Sequence, residues 1–295
     1  MIFSVPATSA NMGPGFDCLG VALSFRNEVV VRRSKYFSVS IKGEGAEFLK
    51  SSKGNAFINI FNEYSKNLTG KIEPFRFEFT NAIPLSRGMG SSSAIIIAAI
   101  AAAYEMAGIS LTKDKILGLA LAHEPHPDNI TPAVQGGFTV ASVDHGKVHY
   151  VKTDMPKDLK AIMVIPDLHQ STNHSRTILP KKVTLKETVF NITHSSLLTA
   201  ALLSGKYELL KVASQDCLHQ EVRMQRVPEL FDVQRISLEQ GALMSTLSGS
   251  GSSFFSMVHC DDATRVSTKL KDKFPDFRIE IFDFDNDGLT ITHSS

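Results

Sequence analysis

A stretch that is apolar on nearly every side constrains this chain more than any other feature. Residues 91–108 read SSSAIIIAAIAAAYEMAG. Alanine dominates and Gly108 supplies a stop, so the run is read as a helix. A helix without a polar face has to be surrounded by other elements. Its uninterrupted apolar part, Ala94 to Tyr104, is only about half of a bilayer crossing. The helix therefore belongs inside a folded domain.

The residues that lead into it suggest a ligand. Residues 83–94 read IPLSRGMGSSSA. Gly88 and Gly90 let the backbone turn tightly and approach a bound group. Ser91, Ser92 and Ser93 stand at the helix start, where backbone N–H groups have no helical partner and the helix dipole is positive. Such a terminus is an anion site, and a polyphosphate suits it. The loop is not a Walker A sequence, because it has no GK[ST], and it is not a convincing GxGxxG fingerprint. A serine-rich helix cap without a ligand remains open at this point. Arg87 either contacts phosphate or points to solvent.

The rest of the chain reads as a layered α+β protein. Strands are expected at 27–33, 36–42 and 75–79, where Phe75, Phe77 and Phe79 alternate with polar residues, and a helix around 57–68. Thr112 caps a helix over 113–123, and a hairpin follows with its turn at 144–147. Residues 6–20, PATSANMGPGFDCLG, read as a turn-rich loop bearing Asn11 and Asp17. The second half runs strand, helices (184–204, 206–216, 229–240), two short strands around Ser248–Gly251, a helix over 262–274 and a late strand, RIEIFDFD. Pro156 and mixed charge at 154–160 mark the boundary between domains 1–155 and 156–295.

Length and composition narrow the function. With 295 residues and 43% apolar side chains, the chain can pack two modest cores. Its 31 basic and 30 acidic side chains argue against a nucleic-acid surface or a polybasic membrane anchor. Cys18, Cys217 and Cys260 are odd in number and widely spaced, which fits a reducing compartment and no zinc site. The N-terminus lacks the pattern of a signal peptide. A cytoplasmic protein is expected.

Three segments together resemble the GHMP kinases. The loop Pro84-Leu-Ser-Arg-Gly88-Met-Gly90-Ser-Ser-Ser-Ala94 is similar to that family's Pro-x-x-x-Gly-Leu-Gly-Ser-Ser-Ala motif. Residues 6–20 resemble the start of its homoserine kinase branch. Thr246-Leu-Ser-Gly-Ser-Gly-Ser252 is similar to its last motif, with Ser252 in place of the usual proline. The resemblance spans residues 6–252 in family order. It implies an N-terminal αβ domain with a left-handed βαβ unit, a ferredoxin-like C-terminal domain, and an active site in the cleft between them. A crossover of that hand would not be found from periodicity.

The resemblance also assigns residues. It puts ATP on Pro84, Leu85, Ser86, Arg87, Gly88, Met89, Gly90, Ser91, Ser92 and Ser93. Residues 123–137, HEPHPDNITPAVQGG, resemble the homoserine kinase pattern, which implies Glu124 and Ser92 as magnesium ligands and Asn129 as a substrate contact. His126 and Asp128 are read as structural. Thr172 and Arg176 match a Thr–Arg pair in that branch, and Arg223, with Arg226 as competitor, matches its second arginine. Arg176 and Arg223 would take the substrate carboxylate, while Asn11 and Asp17 would hold its ammonium and hydroxyl end. Asn129, Glu124, Ser92 and Thr172 form the catalytic set, with ATP and Mg²⁺ as cofactors and L-homoserine as acceptor in threonine biosynthesis. Asparagine cannot take a proton, so catalysis by positioning and charge stabilisation is expected. Family members are often homodimers. The alternatives are a sister kinase of the mevalonate or shikimate type, then a catalytically inactive regulatory relative.

Overall fold

The computed structural model describes residues 1–47, 54–168 and 172–293, apart from the side chains of 172–174. Strands β1 (Ile2–Ala10), β2 (Leu19–Arg33), β3 (Ser38–Gly43) and β4 (Phe75–Asn81) form the body of the first sheet, in the order β1-β2-β4-β3. The start of β2 also pairs with β5 (Phe138–Asp144), which forms a hairpin with β6 (Lys147–Thr153). Strands β3 and β4 are parallel neighbours joined through helix α1 (Ala56–Thr69), the βαβ unit of this half. Phe75, Phe77 and Phe79 all point inward from β4, as their alternation predicts. Phe57 and Phe61 of α1 meet them edge-on, with centroids 5.0 Å apart for Phe57–Phe79 and 5.1 Å for Phe61–Phe75.

The apolar helix is α2 (Ser91–Met106), buried along most of its length. It packs against α1, β1, α3 (Lys113–Ala120) and α4 (Pro127–Gln135). Thr112 caps α3 as expected, but the helix stops at Ala120 rather than at 123. His123 and Glu124 both return their N–H groups to the Ala120 carbonyl, closing a turn. Helix α4 is absent from the sequence reading. Pro127 and Pro132 disguise it, although proline at the first helical position is favourable. Residues 6–10 also differ from expectation. They continue β1 instead of forming loop, paired with Gly20–Arg26 of β2 across a bulge.

The second sheet has four antiparallel strands, β7 (Leu159–Ile165), β8 (Met244–Leu247), β9 (Phe254–His259) and β10 (Arg278–Phe282), in the ferredoxin-like order β10-β7-β9-β8. Among the described residues, five α-helices lie between β7 and β8: α5 (Thr172–Thr177), α6 (Leu185–Ser204), α7 (Leu210–Ala213), α8 (Gln220–Met224) and α9 (Glu229–Glu239). Helix α10 (Cys260–Lys273) joins β9 to β10. Period-two alternation splits this sheet's side chains between two cores. Ile162, Val164, Phe254 and Val258 pack with α9 and α10, while Ala161, Met163, Phe255 and Met257 join the core of the first sheet.

One further strand, β11 (Thr290–Thr292), was not foreseen and pairs with β1. Arg26 holds this tail through Asp285, the Gly288 carbonyl and Thr290. Among the described residues, all three cysteines are free, and no helix is long and apolar enough to cross a membrane.

Candidate active site

A cleft of about 630 Å³ lies where the two sheets meet. Its end around the glycine–serine loop is built mainly from backbone. Asn27 Oδ1 accepts the N–H groups of Ala82 and Ile83 and fixes the exit from β4. Gly88 (φ 75°) and Gly90 (φ 70°) then turn the chain into α2, and Gly90 caps that helix without a side-chain hydrogen bond. The first N–H groups of α2 consequently face the cleft uncapped. A Cβ on Gly88 would overlap the Ser248 carbonyl oxygen, and one on Gly90 would overlap Thr8 Oγ1. Ser248 Oγ donates to the Gly88 carbonyl at 2.7 Å, Ser253 N–H to the Arg87 carbonyl at 3.0 Å, and Gly249 N–H to the Ala10 carbonyl at 3.0 Å. Three segments that are distant in sequence are thereby locked together.

Arg87 lines the cleft and does not point to solvent. It is buried, and Nη2 donates to Asp167 Oδ1 at 2.6 Å. Ser92 stands exposed on the cleft wall, whereas Ser91 is buried with no partner for its Oγ among the described residues.

The other end of the cleft is built from charged side chains. Asp17 receives a two-pronged bond from Arg176, Nη1 to Oδ2 at 3.0 Å and Nη2 to Oδ1 at 2.5 Å, with His126 Nδ1 3.6 Å away. Asn11 is engaged at both ends of its amide. Its Nδ2 donates to the Gly249 carbonyl and its Oδ1 accepts the Asp17 N–H, both at 2.9 Å. Asn129 Oδ1 accepts from Thr8 Oγ1 at 2.7 Å. Arg223 is buried at 3% exposure, and its hydrogen bonds among the described residues go to neutral acceptors: the Ser175 and Gly249 carbonyls and His219 Nδ1. Phe16 lies under both arginines, with the guanidinium carbons of Arg176 and Arg223 at 5.2 and 5.3 Å from its centroid.

Burial and crowding set the protonation of this end. Burial pushes the Glu124 carboxyl up. Burial, then the nearby Asp17 and Glu124 charges, push Asp128 up to about 7. Burial lowers His126. Burial and the like charge of Arg176 bring Arg223 down to about 10. Glu124 and the Ser92 hydroxyl line the same cleft and offer hard oxygen donors. No group of three or more His, Cys, Asp or Glu forms a closed metal site among the described residues. A carboxylate and a hydroxyl beside an uncapped helix start are few protein oxygens, the donor set that Mg²⁺ accepts, so the residues fit that ion.

Residues 55–137 match the family model of the GHMP kinases N terminal domain, and residues 198–276 match that of the GHMP kinases C terminal domain. The homoserine kinase of Nitratiruptor sp. is 56% identical to the chain over 291 residues, covering 99% of both proteins. That of Aliarcobacter butzleri is 57% identical over 291 residues, again 99% of both. The chain belongs to the GHMP kinases, in their homoserine kinase branch. The crystal structure of homoserine kinase from Cytophaga hutchinsonii superposes with a TM-score of 0.86 at 28% identity, covering 98% of this chain and 96% of that one.

With this family membership, the kinase collects nearly all of its expected site residues in one cleft. Residues 84–93, Asn11, Asp17, Glu124, Asn129, Arg176 and Arg223 line it. Arg226, the competitor of Arg223, is exposed and is not among the described residues that line the cleft. Thr172 begins α5, and its side chain lies outside the described residues. Thr8, Asn55 and His123 escaped the sequence reading. Thr8 sits inside the quoted N-terminal motif, yet its role depends on Asn129, 121 positions away. Asn55 caps α1, and His123 follows α3; both line the cleft.

Proposed function

We infer that this enzyme transfers the γ-phosphoryl group of MgATP to the side-chain hydroxyl of L-homoserine, giving ADP and O-phospho-L-homoserine. The observation that carries the reading is Arg223. A buried guanidinium whose hydrogen bonds among the described residues all go to neutral acceptors has no directly paired carboxylate there, an arrangement that favours an anionic ligand. Beside it, Arg176 and Asp17 form an ion pair that a zwitterionic head group matches, carboxylate toward the arginines and ammonium toward Asp17. At the opposite end, the uncapped start of α2 suits a polyphosphate.

The chemistry is displacement at phosphorus. The bond from the γ-phosphorus to the bridging oxygen breaks, the bond to the homoserine hydroxyl oxygen forms, and one proton leaves that hydroxyl. Such reactions are catalysed mostly by positioning and electrostatic stabilisation. Backbone N–H groups of residues 88–93 would hold phosphate oxygens. Asn129, braced by Thr8, would orient the acceptor hydroxyl. Ser92 and Glu124 would hold Mg²⁺, which neutralises phosphate charge when bound.

The reading includes a cytoplasmic enzyme acting on a small molecule, consistent with its even charge and free cysteines. We place its domain division between residues 155 and 156, with β11 as the tail that returns to the first half. The test is release of ADP from MgATP with homoserine, mevalonate or shikimate as acceptor. Turnover with homoserine and formation of its phosphate ester are expected. Turnover only with another alcohol would overturn the acceptor assignment.

A further inference from the structure

One buried imidazole near the acceptor end has no part in the chemistry above. His219 is 1% exposed. Its Nε2 lies 2.8 Å from the Gly13 carbonyl oxygen, and its Nδ1 lies 3.2 Å from Arg223 Nη1. A carbonyl can only accept and a guanidinium can only donate. Nε2 must therefore carry the proton and Nδ1 the lone pair, which defines a single neutral tautomer. Protonating Nδ1 would set donor against donor and cation against cation.

The supports of this ring point the same way. Asp216, at 3.9 Å from Nε2, spends its oxygens elsewhere. Oδ2 accepts the N–H groups of His219 and Gln220, each at 2.8 Å, and Oδ1 accepts Asn191 Nδ2 at 2.6 Å. Asp216 thus anchors the start of α8 rather than the imidazole edge. Phe16 packs on the ring at 5.1 Å between centroids, on the same loop that carries Asp17. Gly13 itself cannot shift easily. It has φ 81°, and a Cβ there would overlap the Ser214 carbonyl oxygen.

We propose that His219 is a positioning residue. As the Nε2–H tautomer it aims Arg223 at the carboxylate seat and ties that arginine to the loop bearing Asp17, so that the groups recognising the two charges of an amino-acid head move as one body. The proposal rests on the assignment of Arg223 to the substrate carboxylate. It makes His219 a determinant of acceptor specificity that touches no substrate atom.

The two ring nitrogens can be removed separately. His219→Asn leaves an acceptor near the Nδ1 position, and His219→Gln leaves a donor near the Nε2 position. Both variants, Arg223→Ala and the double variant His219→Gln/Arg223→Ala are assayed with homoserine and with 3-aminopropan-1-ol, which is homoserine without its carboxylate. His219→Gln should raise the homoserine KM by roughly tenfold, the scale of a misaimed binding group. It should leave the ATP KM and the turnover of aminopropanol near wild type, and His219→Asn should recover part of the loss. In the Arg223→Ala background, His219→Gln should add nothing. Parallel loss with both acceptors, or an equal effect with and without Arg223, would overturn the proposal. An unchanged homoserine KM in Arg223→Ala would overturn the underlying assignment as well. Should the Gln variant fail to fold, ¹⁵N NMR of the histidine-labelled enzyme decides. Proton-free Nδ1 whose signal moves on homoserine binding supports the proposal, and a protonated Nδ1 refutes it.

Discussion

The two ends of the cleft present charge by different means. The proposed phosphate end is backbone: glycines at positive φ, uncapped N–H groups, and a carbonyl framework from residues 248–253 pressed against Gly88. The proposed acceptor end is side chain: Asp17, Arg176 and Arg223, brought from three separate segments around Phe16. A backbone site tolerates changes of side-chain charge but not an added Cβ. A side-chain site tolerates small changes of shape but not loss of a charge. Each end should therefore fail in its own way.

The largest effect is expected from Gly88→Ala. The new methyl group would enter the Ser248 carbonyl, and alanine would have to hold φ 75°. Turnover should fall by at least about a hundredfold through loss of phosphate positioning, a few kcal/mol of transition-state stabilisation. Melting temperature should fall as well, because the same contact staples the two sheets. Normal kinetics with ATP would show that the loop is looser than its packing implies.

Glu124→Gln tests the border between the two ends. The amide keeps the shape and removes the charge proposed to hold Mg²⁺. A fall in kcat of roughly a hundredfold is expected, partly restored by raising Mg²⁺, with the fold intact by circular dichroism. Wild-type turnover at low Mg²⁺ would move the metal role to another residue.

Arg223→Ala and Arg176→Ala probe the acceptor end alone. A charge-assisted hydrogen bond is worth about 1.5–3 kcal/mol, so the homoserine KM should rise roughly ten- to a hundredfold while the ATP KM stays put. Arg223 should cost more, since Arg176 already has Asp17 as a partner. An equal rise in both KM values would erase the distinction between the two ends. Arg226→Ala, at an exposed position outside the cleft lining, should leave both unchanged.

Legibility followed the same division. The phosphate end was readable because a backbone site is written in one contiguous segment, IPLSRGMGSSSA, next to a helix that declares its own burial. The strands of the first half were readable from alternation, as in PFRFEF. The acceptor end came only by resemblance, since no local pattern shows that residues 17, 176 and 223 converge. Thr8 and His219 stayed hidden because each acts through a partner distant in sequence. Helix α4 hid behind two prolines, and β11 behind a length of three residues and a pairing partner at the opposite end of the chain. The burial of Arg87 was not legible because a charged residue in a loop is ordinarily solvated, and here Asp167 meets it.

The smallest effect on rate is expected where a general base would be sought. Asp128 lines the cleft, is buried, and is pushed up to about 7, a value suited to a base near neutrality. Its environment suggests another origin for that shift. Burial comes first, and the charges of Asp17 and Glu124 add to it, so the shift comes from disfavouring the charged form. A loose phosphoryl-transfer transition state builds little charge on the attacking oxygen before the bond forms, and the proton can pass late to a phosphate oxygen. Asp128→Asn should then lower kcat by only about threefold, against the 10²–10⁴-fold typical of a true base, and the acidic limb of the kcat–pH profile should survive. Stability should respond instead. A carboxyl raised in the folded state favours folding most below its unfolded value near 4, and that contribution is lost as pH rises through about 7. The wild-type melting temperature should fall between pH 5 and 8 by more than that of Asp128→Asn, which cannot ionise. A thousandfold loss of kcat with homoserine binding intact, together with loss of the acidic limb, would instead make Asp128 the base.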